Sequence, residues 1–467
     1  MGGASESSPL LGSPGGPPVQ PAWAPQLLAA LCGGLIAMVV GSTVSLPSAL
    51  IPQLVEDGLA RDLAEASVLA TAYLYTAVPA CLAGGLLSDW IGRRLTVLLS
   101  CPVLLAGYLA VPLAPSLSWL VPARLLSALG AWLAYPSANI LVTEFVHPSV
   151  RGSLGSFTSL FLAVGMLQSY LLGYLLPWRS LCWVLVFQPP LLFLCLLLLP
   201  ESPQWLALQG RRREAAASLA WARGKDWDCG PELEELLSRE RPPGVREKLA
   251  TLASRPFLRS LAISGGLFFL CQYTGISTLV VFMEPVFADS GLSLSPRLAP
   301  VIIGMVRVVT SCCSSAVLRR ANRKYMFSSC SLLLSLCCAA MAAFSHWRLD
   351  LLALSPSLGV LPLVIAILMF VSHAFGINAV MHLITGEMFP GAARSLGSSL
   401  TLAIAIMGNG LNASLYPVVL HLTSFSCVFA IYAVATLAMF VLAVRVIPDH
   451  RGLSLVTIER REEGGRE

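Results

Sequence analysis

The chain has 467 residues, 56% of them hydrophobic and only 12% charged, and so little polar material cannot cover so large an apolar interior in water. An ordinary soluble domain is excluded, and an integral membrane protein is indicated. The formal net charge of +5 does not point to nucleic acid, because the arginines collect in alternate connections between apolar runs, the positive-inside pattern of a multi-pass protein.

Residues 1–24 are rich in Gly, Ser and Pro. They cannot bury enough apolar surface to offset the entropy of ordering, so a disordered tail is expected. No basic stretch precedes the first apolar run, and that run is long enough to remain as a span, which argues against a cleaved signal peptide. Gly2 is not read as an acylation site, since Glu6 stands where Ser or Thr is needed. Glu6 with Leu10 and Leu11 instead resembles an acidic dileucine sorting signal of the kind that a clathrin adaptor captures in the cytosol. Such a signal would send the protein to endosomal, lysosomal or other intracellular membranes; without it the plasma membrane is left.

A helix needs about 20 apolar residues to cross ~30 Å of hydrocarbon. About twelve such runs follow, at 25–48, 66–87, 95–114, 119–142, 155–176 and 180–199, then 258–283, 298–318, 325–344, 356–384, 396–417 and 422–446. Their length fits helices, not barrel strands. The fold expected is an all-α membrane protein with six-helix bundles at 25–199 and 258–447, a cytosolic linker at 200–257 and a cytosolic tail at 448–467. Positions 25–50 hold no ionisable side chain. Proton-coupled carriers commonly keep a costly carboxylate in the path, so its absence here favours passive movement.

The second run ends at Asp89-Trp90-Ile91-Gly92-Arg93-Arg94: a glycine for a tight turn, a carboxylate able to face a helix N-terminus or an arginine, and a basic pair for anionic headgroups. The fourth ends at Glu144, with Pro148 and Arg151 beyond it, and the tenth ends at Glu387, with Pro390 and Arg394 beyond it. In each half Glu precedes Arg by seven residues, an internal echo that suggests duplicated six-helix units. These pairs are placed to bridge the halves and to break when a cavity opens inward.

Between the halves, Pro200-Glu201-Ser202-Pro203-Gln204-Trp205-Leu206 opens the long charged segment. Its apolar residues recur at helical spacing among Arg and Glu, which predicts short amphipathic helices. The basic run Arg211-Arg212-Arg213 reads as a solvated surface facing the membrane. The 13 cysteines are scattered in apolar runs without a CxxC pair, so they read as small core residues and not as a disulfide frame or a metal site. No nucleophile–base pair or phosphate-binding loop suggests an enzyme, and no cofactor is expected.

Taken in order, these landmarks, with Gln272 and Gly275 in the seventh run and Pro448 to Glu459 after the twelfth, resemble the sugar porter family of the major facilitator superfamily over nearly the whole chain. The dileucine tail and Arg307 are most similar to the intracellular subset of facilitative hexose carriers. The resemblance implies two bundles rocking about a midplane site, with a cytosolic charge network of Asp89, Arg93, Glu144, Arg151 and Glu201 in the first half and Arg323, Glu387 and Arg394 in the second. It implies a small-molecule substrate, a hexose or polyol, moved by facilitated diffusion.

The chain also departs from that pattern. The second loop motif has Arg319 for the usual carboxylate and Asn322 for the usual Gly; Gln204 replaces a basic residue; Ser159 falls where a glutamine is expected and His382 where a tryptophan is. The polar residues left at site depth are Gln272, Ser277, Ser159, Arg307, His382 and Asn409. Amide hydrogen bonds to a sugar contribute roughly 0.5–1.5 kcal/mol each, so losing two or three would weaken binding by about one to three orders of magnitude. Two readings of Arg307 stay open, a substrate or gating contact and a structural arginine that bridges helices; His382 is read as interior or as a ligand. An organic-anion carrier using Arg307 and a non-transporting sensor or scaffold are the alternatives. Asn412-Ala413-Ser414 fits a glycosylation sequon but lies inside a span, so it is expected to be unused.

Overall fold

The computed structural model describes residues 22–147, 150, 154, 157–224, 227–238, 254–289, 295–320, 322–378, 380–381, 389 and 394–446. The expected dileucine signal, Arg151, His382 and Glu387 lie outside these residues. Eleven helices among them are long and apolar enough to cross a membrane. The expected eighth span, Leu298–Arg320, is also one helix, apolar over Leu298–Ser314.

The first half comprises spans Trp23–Glu56, Leu63–Ile91, Arg93–Ala110, Leu117–Phe145 and Phe157–Leu175, then a sixth made of two pieces, Trp178–Leu185 and Gln188–Leu197. The second comprises a seventh span in two pieces, Arg255–Gln272 and Ile276–Asp289, the eighth, a ninth at Arg323–His346, a tenth at Leu361–Ser372 running into a π-turn at His373–Asn378, an eleventh at Arg394–Leu422 and a twelfth at Phe425–Val446. Three runs read as continuous in the sequence are therefore interrupted. Pro189 and Pro190 restart the sixth, because proline fits only the first turn of a helix. Gly275, at φ +80°, supplies the left-handed residue at the break in the seventh.

Small residues set the packing within the first half. A Cβ on Gly41 would lie 2.1 Å from the Leu162 carbonyl oxygen, and one on Gly165 2.0 Å from that of Met38. The first and fifth spans therefore touch backbone to backbone, the close approach that small residues permit in lipid. Ser42 Oγ donates to the Gly165 carbonyl at 3.1 Å, and Ser169 Oγ to that of Ser42 at 3.2 Å. Gly84 against Leu133 and Gly107 against Ser127 repeat the device between the second, third and fourth spans. The halves meet where the first span faces the seventh, the fifth the eighth, and the second the eleventh.

The segment between the halves folds as three short helices, Pro203–Leu208, Arg212–Arg223 and Gly230–Ser238, around Trp205, Leu206, Ala215, Leu219 and Leu233. It covers one end of the first bundle, the linker face; the other end is the far face. Arg211 pairs with Glu214 and Arg212 with Glu234, both pairs exposed. The basic run is thus partly neutralised by the segment's own carboxylates instead of standing as a bare membrane-facing surface.

Candidate functional site

The interior site is built around the broken seventh span. A helix that ends at Gln272 leaves carbonyls without intrahelical donors. Gln272 Oε1 accepts from Ser277 Oγ across the break at 2.9 Å, while Gln272 Nε2 donates to the Phe268 carbonyl at 3.2 Å. The structure thus brings together two of the expected residues, one on each side of the interruption. Gly408, on the eleventh span, would place a Cβ 3.3 Å from Gln272 Cγ. Asn409 follows it, and its Oδ1 is buried with no hydrogen-bond partner among the described residues.

Arg307 lies in the eighth span with its guanidinium in electrostatic contact with Tyr135 and Tyr170 of the first half and 5.8 Å from the Phe370 ring centroid. It therefore faces the other half of the molecule. Among the described residues its Nη1 is buried without a partner, as are Tyr73 Oη and Trp132 Nε1; the Trp132 ring sits 5.5 Å from Tyr135. Ser159 is exposed on the fifth span, and no described contact joins it to this group.

A second buried arginine, Arg124, was not signalled by any motif. It is fully buried in the fourth span, donates through Nη2 to the Thr43 carbonyl at 2.9 Å, and lies 5.1 Å from the Tyr73 ring centroid. Its Nε and Nη1 have no hydrogen-bond partner among the described residues. Burial of an unpaired cation is costly, so an ionisable residue in the middle of an apolar run was itself the available signal.

At the linker face the structure brings Asp89, Arg93, Glu144 and Glu201 together; Arg151 lies outside the described residues. Arg93 binds Glu144 through Nε, at 3.1 and 3.3 Å to the two carboxylate oxygens, and through Nη2 at 3.1 Å. Its Nη1 binds Asp89 Oδ1 at 3.2 Å and the Ser88 carbonyl at 2.8 Å. Glu201 takes the backbone N–H groups of Arg93, Arg94 and Leu95 at 2.9, 3.0 and 3.3 Å. It caps the third span, where donors are unsatisfied and the dipole favours an anion. Ser202 donates to Glu144 and accepts from the Trp205 N–H at 3.1 Å, while Trp205 Nε1 donates to the Asp89 carbonyl at 2.9 Å. These bonds join side chains of the first bundle to one another and to the linker. Of the residues expected to bridge the halves, Arg151 and Glu387 lie outside the described residues, and Glu144 is bound by Arg93 and Ser202.

Arg223 extends the network into the linker, donating to the Phe145 carbonyl at 2.6 Å and to Glu232 at 3.0 and 2.6 Å. Arg323 and Arg394 each begin a helix, the ninth and eleventh spans. Asn322, in place of the family glycine, caps the ninth span by accepting from the Lys324 N–H at 3.1 Å.

Among the described residues, the hydrogen bonds and ion pairs that do join the halves lie toward the far face. Tyr75 and Ser414 share a bond of 2.9 Å, and Tyr170 donates to the Val280 carbonyl at 3.0 Å. Arg297, at the start of the eighth span, binds Glu56 at the end of the first at 2.6 Å and Glu284 of the seventh at 3.1 Å.

The chain matches the "Sugar (and other) transporter" family over residues 27–461. It is 27% identical over 451 residues to the facilitated trehalose transporter Tret1 of Apis mellifera ligustica, covering 94% of this chain and 88% of that one. It is 25% identical over 450 residues to the Tret1-2 homolog of Drosophila simulans, covering 94% and 91%. The Tret1 of Drosophila grimshawi is longer: at 24% identity the match covers 94% of this chain but 48% of that relative, so the chain spans about half its length. In fold it superposes on the E. coli xylose transporter XylE in a partially occluded inward-open conformation, with TM-score 0.77, 16% identity and coverage of 93% and 100%. XylE bound to 6-bromo-6-deoxy-D-glucose gives TM-score 0.73 at 17% identity, with coverage of 94% and 99%. Matched over all but its two ends, this chain belongs to the sugar transporter family of membrane carriers.

Proposed function

We propose that the chain moves a hexose or related polyol down its gradient by alternating access. One observation carries the reading. Tyr73 Oη, Trp132 Nε1, Arg307 Nη1 and Asn409 Oδ1 are buried polar atoms without partners among the described residues, supplied by spans of both halves. A buried polar group left unsatisfied costs about 1–3 kcal/mol. A polyhydroxylated solute offers both donors and acceptors to such atoms, and the rings of Tyr135, Tyr170 and Phe370 around Arg307 suit its less polar faces. The names of the insect relatives add trehalose to the candidates.

The passive reading is supported by the first span and by Arg124. That arginine meets a carbonyl and an aromatic ring, and no described carboxylate pairs with it. Without such a pair, Arg124 offers no carboxylate through which a proton could be carried with the solute. The positive-inside pattern supports placing the linker face in the cytosol, where Glu6, Leu10 and Leu11 would meet a clathrin adaptor and hold the protein on endosomal or lysosomal membranes.

The test is uptake by purified protein in liposomes, with labelled D-glucose, trehalose, inositol and small organic acids, with and without a pH gradient. Saturable sugar or polyol uptake that ignores the gradient is expected. Uptake confined to organic acids would refute the substrate class, and dependence on the gradient would refute the passive mechanism.

A further inference from the structure

We infer that Asn412 is a positioning residue for the solute site, holding the break in the seventh span so that Gln272 and Ser277 face the path in register. Asn412 is 2% exposed. Its Nδ2 donates to the Gln272 carbonyl at 2.8 Å and to Thr278 Oγ1 at 3.1 Å, and its Oδ1 accepts from the Tyr432 hydroxyl at 2.8 Å. Thr278 and Tyr432 close the loop with a hydroxyl–hydroxyl bond of 2.7 Å.

The amide orientation is fixed by these partners. A carbonyl can only accept, so Nδ2 must face Gln272; Oδ1 then takes the Tyr432 proton, and Thr278 can pass its own proton to Tyr432 while accepting from the amide. Gln272 ends one piece of the span and Thr278 lies in the next, on either side of Gly275. One side chain from the eleventh span therefore grips both pieces. The Gln272 carbonyl, orphaned by the break, receives from Asn412 the donor that a continuous helix would have provided. Ser277 then stands where its hydroxyl reaches Gln272 Oε1 at 2.9 Å. Losing the amide frees the two pieces to rotate against each other and misaims both polar side chains without removing either.

The inference rests on the proposal that Gln272 contacts the solute, and the experiment separates the two. Initial rates of uptake of labelled D-glucose, trehalose and inositol are measured in liposomes for the parent, Gln272→Ala, Asn412→Ala and the double variant. Asn412→Ala should raise KM about tenfold, the loss of one well-made hydrogen bond, with a maximal rate within about twofold of the parent. The effects in the double variant should be less than additive, since with Gln272 absent only the misaiming of Ser277 is left to add to Gln272→Ala. Tyr432→Phe, which keeps the ring and removes the hydroxyl that bonds Asn412 Oδ1 and Thr278, should move KM in the same direction by a smaller factor, and it serves if Asn412→Ala does not fold. A rise in KM for Gln272→Ala with none for Asn412→Ala or Tyr432→Phe would overturn the positioning role alone, as would additive effects in the double variant. No rise for Gln272→Ala, or no uptake of any of the three solutes by the parent, would overturn the solute-site reading and this inference with it.

Discussion

Replacing Glu144 by Gln removes a charge and little volume from the linker-face network. The Arg93 and Glu144 side chains are only 8% and 7% exposed, whereas Asp89, the other carboxylate on Arg93, is 45% exposed. The substitution leaves the buried guanidinium with the half-exposed Asp89 at 3.2 Å and the Ser88 carbonyl at 2.8 Å, and replaces the Glu144 carboxylate by a neutral amide. Breaking a buried pair from one side costs about 3–5 kcal/mol, and retention of Asp89 puts the expectation at the lower end, roughly 3 kcal/mol. The control is Arg212→Ala, which breaks a pair whose members are 64% and 62% exposed; such exposed pairs contribute about 0–1 kcal/mol. Thermal unfolding of the detergent-solubilised protein compares the two directly. Glu144→Gln should unfold well below the parent and Arg212→Ala beside it. Equal transitions for the two variants would refute the argument that burial, and not pairing as such, makes this network structural.

Other expectations follow from single contacts. Gly165→Val would drive a side chain into the Met38 carbonyl and should cost more than about 3 kcal/mol because neither backbone can retreat, seen as loss of a monodisperse folded peak; a parent-like melting temperature would count against the backbone packing of the first and fifth spans. Glu56→Gln loosens the bridge to Arg297 at the far face, so a cysteine placed at Ser48 should react faster with an impermeant maleimide added from that side, by about two- to fivefold, the size of a half-exposed pair; unchanged labelling would show that the bridge does not hold the halves together. Leu10→Ala with Leu11→Ala should move the protein to the cell surface in a biotinylation assay, and an unaltered distribution would end the sorting assignment.

Much of the fold was legible because lipid leaves few solutions: about 20 apolar residues are a span, and basic connections mark one side. The interruptions were harder to see. Gly275 and Pro189 sit in runs as apolar as the rest, and only the need for a left-handed residue or a first-turn proline identifies them. The charge network was legible by type but not by partner. The spacing of Glu144 and Arg151 marks an internal repeat but names no partner, and in the structure Glu144 is bound by Arg93 and Ser202 from the second–third connection and the linker. Ser202 could have been foreseen, since Ser before Pro with a helix beyond is an N-cap signature. Asn412 reads in the sequence only as a sequon buried in a span, because one sequence does not reveal that the eleventh span presses this amide against a broken seventh.

The measurement that bears most directly on the account is sugar uptake into liposomes by the purified protein, run with and without an imposed pH gradient. The account predicts saturable uptake of a hexose, polyol or trehalose that is indifferent to the gradient and is lowered by Gln272→Ala. Silence toward every sugar and polyol in the panel, from protein shown to be folded, would contradict it.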